Sequence, residues 1–139
     1  MSVKLADVAQ ALLTARASGA VAPTAAFADA VPDAPSAYAV QALVASALGW
    51  HGDQPGRHWK SGGAARDAVI THAALPPNGI WQSPAVAGDW PLHLHGVEAE
   101  IAVRLGCNIT PAMAAKADQA TAQAWVSDMT VAIEVINTH

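Results

Sequence analysis

The stretch GVEAEIAVRLG, Gly96–Gly106, places two glutamates two positions apart within an apolar run. If the stretch is a β-strand, its side chains alternate between two faces. One face is polar and carries Glu98, Glu100 and Arg104. The other face is apolar and carries Val97, Ala99, Ile101, Val103 and Leu105. Because neighbouring carboxylates repel each other, the polar face needs water, a cationic partner or a metal ion.

Length and composition indicate one domain with a thin core. The chain has 139 residues and a mass of 14.2 kDa, which is the size of a single ordinary domain. Its hydrophobic fraction is 53%, but alanine supplies much of this and only 5% is aromatic. Since alanine buries little surface, the core is expected to be small. We predict one α+β domain over residues 1–139. It is expected to be helical over 1–49 and β-rich over 50–139, and the β-rich part is expected to carry the metal site.

Charge and cysteine usage exclude several classes of protein. The formal net charge is −4 and no basic stripe is present, which argues against nucleic-acid binding. Cys107 is the single cysteine, so the chain can form no internal disulfide and no multi-thiolate metal site. Charged residues interrupt the first 19 residues, unlike a signal peptide, and no run approaches the roughly 20 apolar residues of a membrane helix. These features favour a soluble cytoplasmic protein.

Apolar spacing and capping residues predict the helices. A first helix is expected over about 3–17, ending at Gly19, and is followed by an extended, proline-containing connector over 20–35. Ser36 is the expected N-cap of a second helix that ends at Gly49. A third helix is expected within 108–125, with Thr110 as N-cap and Pro111 in the first helical position, as proline prefers.

The remaining segments predict short β elements and one more strand. Residues 50–91 are broken by Gly, Pro, Asn and Asp, which is typical of loops and short strands. The final stretch TVAIEVINTH, residues 130–139, alternates as a strand, with Ile133 and Val135 as expected core residues. An exposed edge along Thr130–Ile136 would favour self-association, so we expect a homo-oligomer.

The final strand also carries a carboxylate, Glu134, within apolar sequence. Two strands joined by a helical connection of this length can be neighbours in one sheet, which would bring Glu134 to Glu98 and Glu100. Three oxygen ligands with open positions suit a hard cation such as Mg²⁺ or Mn²⁺. Solvated or salt-bridged carboxylates are the other interpretation of the same pattern.

Lys60 is a second candidate, in the stretch GRHWKSGG over residues 56–63. The glycines behind it would allow close approach of a ligand, and a lysine there can move a proton or hold a carboxylate. An ordinary loop lysine is the alternative. His93 and His95 alternate, but such a pair mostly marks a solvated strand face. Cys107 is expected to be a small buried apolar residue rather than a nucleophile.

Five segments occur in an order typical of one family: AYAVQALV over 37–44, HWKSGG over 58–63, GIWQSPA over 79–85, GVEAEIAVRLG over 96–106 and VAIEVINTH over 131–139. Together they resemble the 2-keto-4-pentenoate hydratase branch of the fumarylacetoacetate hydrolase superfamily. The resemblance covers nearly the whole chain. Its most specific element is the E-x-E strand followed, after a helix, by the AIE strand.

The resemblance implies a fold, a site and an activity. The fold would be N-terminal helices packed on a mixed β-sheet or barrel of the fumarylacetoacetate hydrolase C-terminal-domain type. Glu98, Glu100 and Glu134 match the ligands of one Mg²⁺ or Mn²⁺, and Lys60 with Gly62 matches a K-x-G motif that binds substrate and catalyses. The substrate would be a short 2-oxo-4-enoic acid from the breakdown of aromatic compounds, hydrated through a metal-stabilised enolate. Related enzymes decarboxylate 2-oxo diacids or cleave acylpyruvates.

The chain departs from the family pattern in three places. Pro77 and Asn78 stand where many such hydratases carry an acidic residue, and Asn137–His139 replaces an Asp-Ser-Arg-like ending. Family chains are also longer, so the sheet is expected to be incomplete at its C-terminal end. These departures keep open an alternative of another class, in which the chain is a truncated, catalytically silent relative that acts as an assembly partner.

Overall fold

The computed structural model describes residues 4–52, 54, 56–63, 65–90, 92–94 and 96–136. The chain divides into two compact units, one within 1–91 and the other within 92–138. Helices and antiparallel strands are both present, so the predicted α+β class is confirmed. The family-specific fold and the single domain stay predictions. Among the described residues, no helix combines the length and apolar character needed to cross a membrane.

The first unit begins with helix α1, Leu5–Ser18, close to its predicted bounds. The Asp7 carboxylate accepts a hydrogen bond of 2.9 Å from the Lys4 backbone N–H, which fixes the start of the helix. Gly19 ends the helix with a φ of 68°, a left-handed conformation that glycine adopts without a Cβ penalty. The predicted stop at Gly19 is therefore confirmed.

Two predictions for the following segment are wrong. The expected extended connector contains a 3₁₀ helix, Thr24–Ala30, and helix α2 spans Ala34–Ala47. The N-cap of α2 is Asp33, not Ser36, because the Asp33 carboxylate accepts a hydrogen bond of 2.9 Å from the Ser36 N–H. Pro35 lies in the first turn, where its missing N–H leaves no helical hydrogen bond unmade.

The Asp33 cap predicts a pH-dependent stability. Hydrogen bonding to Ser36, through its side chain and its backbone N–H, lowers the pKa of Asp33. The carboxylate therefore stabilises the fold above its unfolded pKa of about 3.9, and this stabilisation is lost as pH falls through the lower folded pKa. We expect Asp33→Ala to melt at a lower temperature than the parent at neutral pH.

Asp33→Asn is the matched control, because asparagine caps helices equally well but does not titrate. Asp118 has a similarly lowered pKa, through its hydrogen bonds with Thr121, and remains in every variant. Thermal melts between neutral pH and about pH 3 should show a smaller acid-induced loss of melting temperature for Asp33→Asn than for the parent. Identical pH profiles for the two chains would contradict the assignment.

The core of the first unit is small, as the alanine-rich composition predicts. Val8 and Ala9 of α1 pack against Val40 of α2. Partly buried residues surround them: Leu5, Leu12, Phe27, Ala30, Val31 and Val44. Leu43 of α2 is 43% exposed. The first unit is therefore held mainly by one helix pair.

A short two-stranded hairpin forms the sheet of the first unit. Strands β1, Trp59–Gly62, and β2, Thr71–Ala74, pair antiparallel with Lys60 opposite Ala73. Gly56 precedes the hairpin, and a Cβ at this position would lie 2.8 Å from the Cβ of Ala74. The close approach of backbone to β2 therefore requires a glycine at position 56.

A turn and an aromatic pair follow the hairpin. A 3₁₀ helix spans Pro77–Gly79, and the Asn78 carbonyl accepts a 3.0 Å hydrogen bond from the Trp81 indole N–H. Trp81 contacts Trp90 edge to face, with ring centroids 5.3 Å apart. Pro77 and Asn78, which depart from the family pattern, thus form a turn that supports Trp81.

The second unit is an antiparallel ribbon of two long strands. Strand β3, Gly96–Leu105, matches the predicted strand, and β4, Val126–Ile136, begins four residues before the predicted start at Thr130. The connection was expected to be one helix, but it contains two, α3, Pro111–Ala114, and α4, Gln119–Ala124.

Local capping explains why the third predicted helix is divided. The Thr110 hydroxyl accepts a 3.3 Å hydrogen bond from the Met113 N–H, which confirms Thr110 as a cap. The Asp118 carboxylate accepts a 2.8 Å hydrogen bond from the Thr121 N–H and begins α4. Because an N-cap residue has extended backbone, Asp118 interrupts the helical run that the apolar spacing predicted.

Candidate functional site

Three glutamates meet on one face of the β3–β4 ribbon. In the antiparallel register Glu98 lies directly opposite Glu134, and Glu100 lies two residues further along β3. Side chains two residues apart share a face, so Glu100 lies on the same side as the pair. One possible ligand oxygen from each glutamate lies within 4.8 Å of the others. The predicted meeting of these carboxylates is therefore present, while their role as metal ligands stays a prediction.

The register is what brings Glu134 to the E-x-E pair. From Gly96↔Ile136 to Arg104↔Asp128 the pairing is continuous, and an irregularity follows between Arg104 and Leu105. A shift of one residue would move Glu134 to the opposite face. The α3–α4 connection and this register therefore decide whether three carboxylates share a site or only two.

Carboxylate oxygens are the kind of ligand that hard divalent cations prefer. Mg²⁺ binds oxygen at about 2.1 Å, so two of its ligands lie at most about 4.2 Å apart. One oxygen from each glutamate lies within 4.8 Å of the others, a bound close to this limit. Glu100 and Glu134 are half-buried, whereas Glu98 is exposed.

The far end of the same face carries a weak charged pair. The Arg104 guanidinium and the Asp128 carboxylate lie 4.0 Å apart, with side chains 80% and 65% exposed. An ion pair this long and this exposed contributes little to stability. The Ser127 hydroxyl donates to the Arg104 carbonyl at 3.2 Å and so reinforces this end of the ribbon.

Lys60 lies on β1 in the first unit, whereas the three glutamates lie in the second. It is half-buried, and alternation along the strand puts Gly62 on the same face. The structure thus places the K-x-G residues together on one strand. Their expected action on the same ligand as the glutamates stays a prediction.

A contact that local sequence spacing could not reveal joins α2 to β2. The Tyr38 hydroxyl lies 3.4 Å from His72 Nδ1, and the two rings stack with centroids 4.7 Å apart. Trp59 adds a third ring, 5.8 Å from that of His72. Trp59 and His72 lie on the hairpin face opposite to Lys60, as the register shows. This aromatic cluster holds the hairpin against α2, and the same hairpin carries Lys60.

The structure places the two remaining kinds of candidate, the histidines and the cysteine, away from a buried position or outside the described residues. His93 is exposed, and His95 lies outside the described residues, as does Asn137–His139. Cys107 is exposed, so the expectation of a buried apolar cysteine is wrong. It lies two residues after the end of β3, in a bend at the end of the ribbon, and that position explains its exposure.

No family model matches the chain, and neither the curated proteins nor the solved structures give a significant match. The candidate functional residues are three carboxylates on one face of the ribbon and a half-buried lysine on a separate hairpin.

Proposed function

We propose that the chain is a divalent-metal-dependent hydratase of the 2-keto-4-pentenoate hydratase type, acting on short 2-oxo-4-enoic acids. The observation that carries the proposal is the grouping of Glu98, Glu100 and Glu134, whose ligand oxygens lie within 4.8 Å of one another. The proposal includes a fold of the fumarylacetoacetate hydrolase type, a cytoplasmic location and a homo-oligomeric assembly.

The glutamates would hold one Mg²⁺ or Mn²⁺. Such a cation, when bound, supplies positive charge that stabilises the negative charge developing on a 2-oxo oxygen. The half-buried positions of Glu100 and Glu134 would strengthen their attraction for a cation, because partial exclusion of water raises the effective attraction between charges. Glu98, which is exposed, would supply the third ligand from the solvent-facing side.

Lys60 would act on the organic part of the substrate. Its amine would accept a proton from the carbon next to the 2-oxo group and return it further along the chain, which produces a conjugated enone. Water then adds to the far carbon of that enone. In the second possible role the Lys60 ammonium would hold the substrate carboxylate as a point charge, and Gly62 would leave room for it.

A role of another class, as an assembly partner without catalysis, is favoured by a different observation. The side of the β3–β4 ribbon opposite the three glutamates is apolar and open to solvent, with Ile101 64% exposed and Val131 69% exposed. A surface of this kind marks an interaction site in many proteins. The two roles differ in what they require of the glutamates, since assembly needs no metal.

The proposal predicts that the folded chain binds a divalent cation and then a 2-oxo acid. We expect Mg²⁺ or Mn²⁺ to raise the melting temperature, and oxalate or pyruvate to raise it further only when the metal is present. At a metal concentration of 100 times Kd the stabilisation is about 2.7 kcal/mol, or roughly 8 °C for a chain of this size.

Thermal melting with each metal, with and without oxalate, measures this directly. Ca²⁺ serves as a control for selectivity, because it prefers more ligands and longer bonds than Mg²⁺. An assay for loss of a 2-oxo-4-enoate follows a positive result. A folded sample whose melting temperature does not change with either metal would contradict the proposed function.

A further inference from the structure

The β3–β4 ribbon has a second face, made by nine apolar residues, which we call the apolar face. Cross-strand pairs such as Val97↔Val135, Ile101↔Val131 and Val103↔Met129 keep these side chains together on one side. The residues of the apolar face are Val97, Ala99, Ile101, Val103, Leu105, Met129, Val131, Ile133 and Val135.

The apolar face is exposed, although the sequence predicts buried strand residues there. Ile133 is 64% exposed and Val135 is 37% exposed, so the expectation that both lie in a core is wrong. A two-stranded ribbon has to gain a further layer to bury a face, because its own two strands cover neither side. Within the described part of the second unit, no further layer covers this face.

The size of the apolar face is that of one side of a small protein interface. A fully exposed side chain of this type presents roughly 100 Å² of apolar surface, so the large residues of the face together expose roughly 500 Å². This is as large as the largest apolar patch of a typical monomer. Two such faces in contact would bury about 1,000 Å² in total, which is the lower limit for a specific interface.

We propose that a second copy of this chain covers the apolar face, so that two β3–β4 ribbons pack face to face. The two surfaces are identical in length and carry no charged residue, so a two-fold arrangement brings no like charges together. Strands of ten and eleven residues give matching ribbons roughly 30 Å long, and packed sheets lie about 10 Å apart.

The same arrangement leaves the candidate metal site open. Glu98, Glu100 and Glu134 point to the other side of the ribbon, away from the packed faces. Self-association through the apolar face therefore requires neither metal binding nor catalysis, and it specifies the surface of the homo-oligomer included in the proposed function. The interface is near the lower size limit, so the dimer dissociates on dilution.

Sedimentation velocity of the 139-residue chain tests the proposal over about 1 μM to about 100 μM protein. We expect a concentration-dependent change from monomer to dimer. Val131→Lys places a charge in the centre of the apolar face and should weaken dimerisation at least about tenfold, because each dimer would bury two unpaired charges.

Thr130→Lys is the matched control. Thr130 neighbours Val131 in β4, is exposed and points to the opposite face. Both substitutions remove a β-branched residue, so the cost to strand propensity is the same in each. Thr130→Lys should dimerise like the parent.

Val131→Thr keeps the side-chain shape and strand propensity, so it tests the face if Val131→Lys fails to fold. It should weaken dimerisation less than the lysine does, and in the same direction. A parent chain that is monomeric throughout the range would overturn the proposal. So would equal weakening by the substitutions at positions 130 and 131, or dimerisation that Val131→Thr leaves unchanged.

Discussion

We expect Glu100→Gln to abolish both the metal-dependent rise in melting temperature and the hydration of 2-oxo-4-enoates. Glutamine keeps the shape of the side chain but removes the charge that a hard cation requires. Loss of several kcal/mol of charge stabilisation corresponds to a fall in rate of about 10³-fold or more. Melting with Mg²⁺ or Mn²⁺ and a rate assay at saturating metal measure the two effects separately.

Glu134→Gln should weaken the metal-dependent rise in melting temperature. Glu134 lies directly opposite Glu98 in the register and is one of the three proposed ligands of the cation. With metal the variant should therefore melt lower than the parent, because one of the three ligands is gone.

Asp128→Asn is the matched control for both glutamate variants. Asp128 lies on the same face of the ribbon, six residues before Glu134, and is paired with Arg104 at 4.0 Å. It should keep the full metal response and the full rate. If Asp128→Asn and Glu100→Gln lose the metal response equally, cations are attracted by the general charge of the face and the metal assignment is wrong.

The second large effect is expected at Lys60. Lys60→Met should reduce the hydration rate by about 10²–10⁴-fold, the range that general acid–base catalysis provides. The metal-dependent rise in melting temperature should stay as in the parent, since Lys60 is not a metal ligand in the proposed site. Rates and melting curves of the same preparations give both values.

Lys60→Arg separates the two roles open to the lysine. Arginine keeps the positive charge but does not release a proton near neutral pH. A role in holding the substrate carboxylate predicts partial rescue by arginine, chiefly in KM, whereas proton transfer predicts a rate as low as that of the methionine variant. Lys116→Met, at an exposed position between α3 and α4, is the control and should have no effect. Full activity of Lys60→Met would remove Lys60 from the mechanism.

Much of the local structure follows from neighbouring residues. The stop of α1 at Gly19, the Thr110 cap and the alternation of β3 were predictable because each depends on backbone preferences within a few positions. The sequence prediction missed two helix caps, Asp33 and Asp118. These caps also depend on local contacts, since each aspartate accepts a hydrogen bond from the backbone N–H three residues later. Apolar periodicity alone does not show which of several polar residues caps a helix.

The contacts between distant residues are different. Tyr38 meets His72 across 34 positions, and no spacing in the sequence indicates that pair. The burial of β4 was predicted from its composition, yet Ile133 is exposed because burial depends on the layer that packs against a strand. Composition shows that a face is suited to burial, and only packing shows whether it is covered.

The candidate site combines both kinds of information. The sequence by itself determined that Glu98 and Glu100 share a strand face, because side-chain alternation is a property of consecutive residues. Only the tertiary structure decided that Glu134 lies opposite Glu98, because strand register depends on the connection and on all cross-strand pairs together. The local sequence therefore determines that Glu98 and Glu100 form a pair, whereas the pairing of β3 with β4 brings Glu134 next to them.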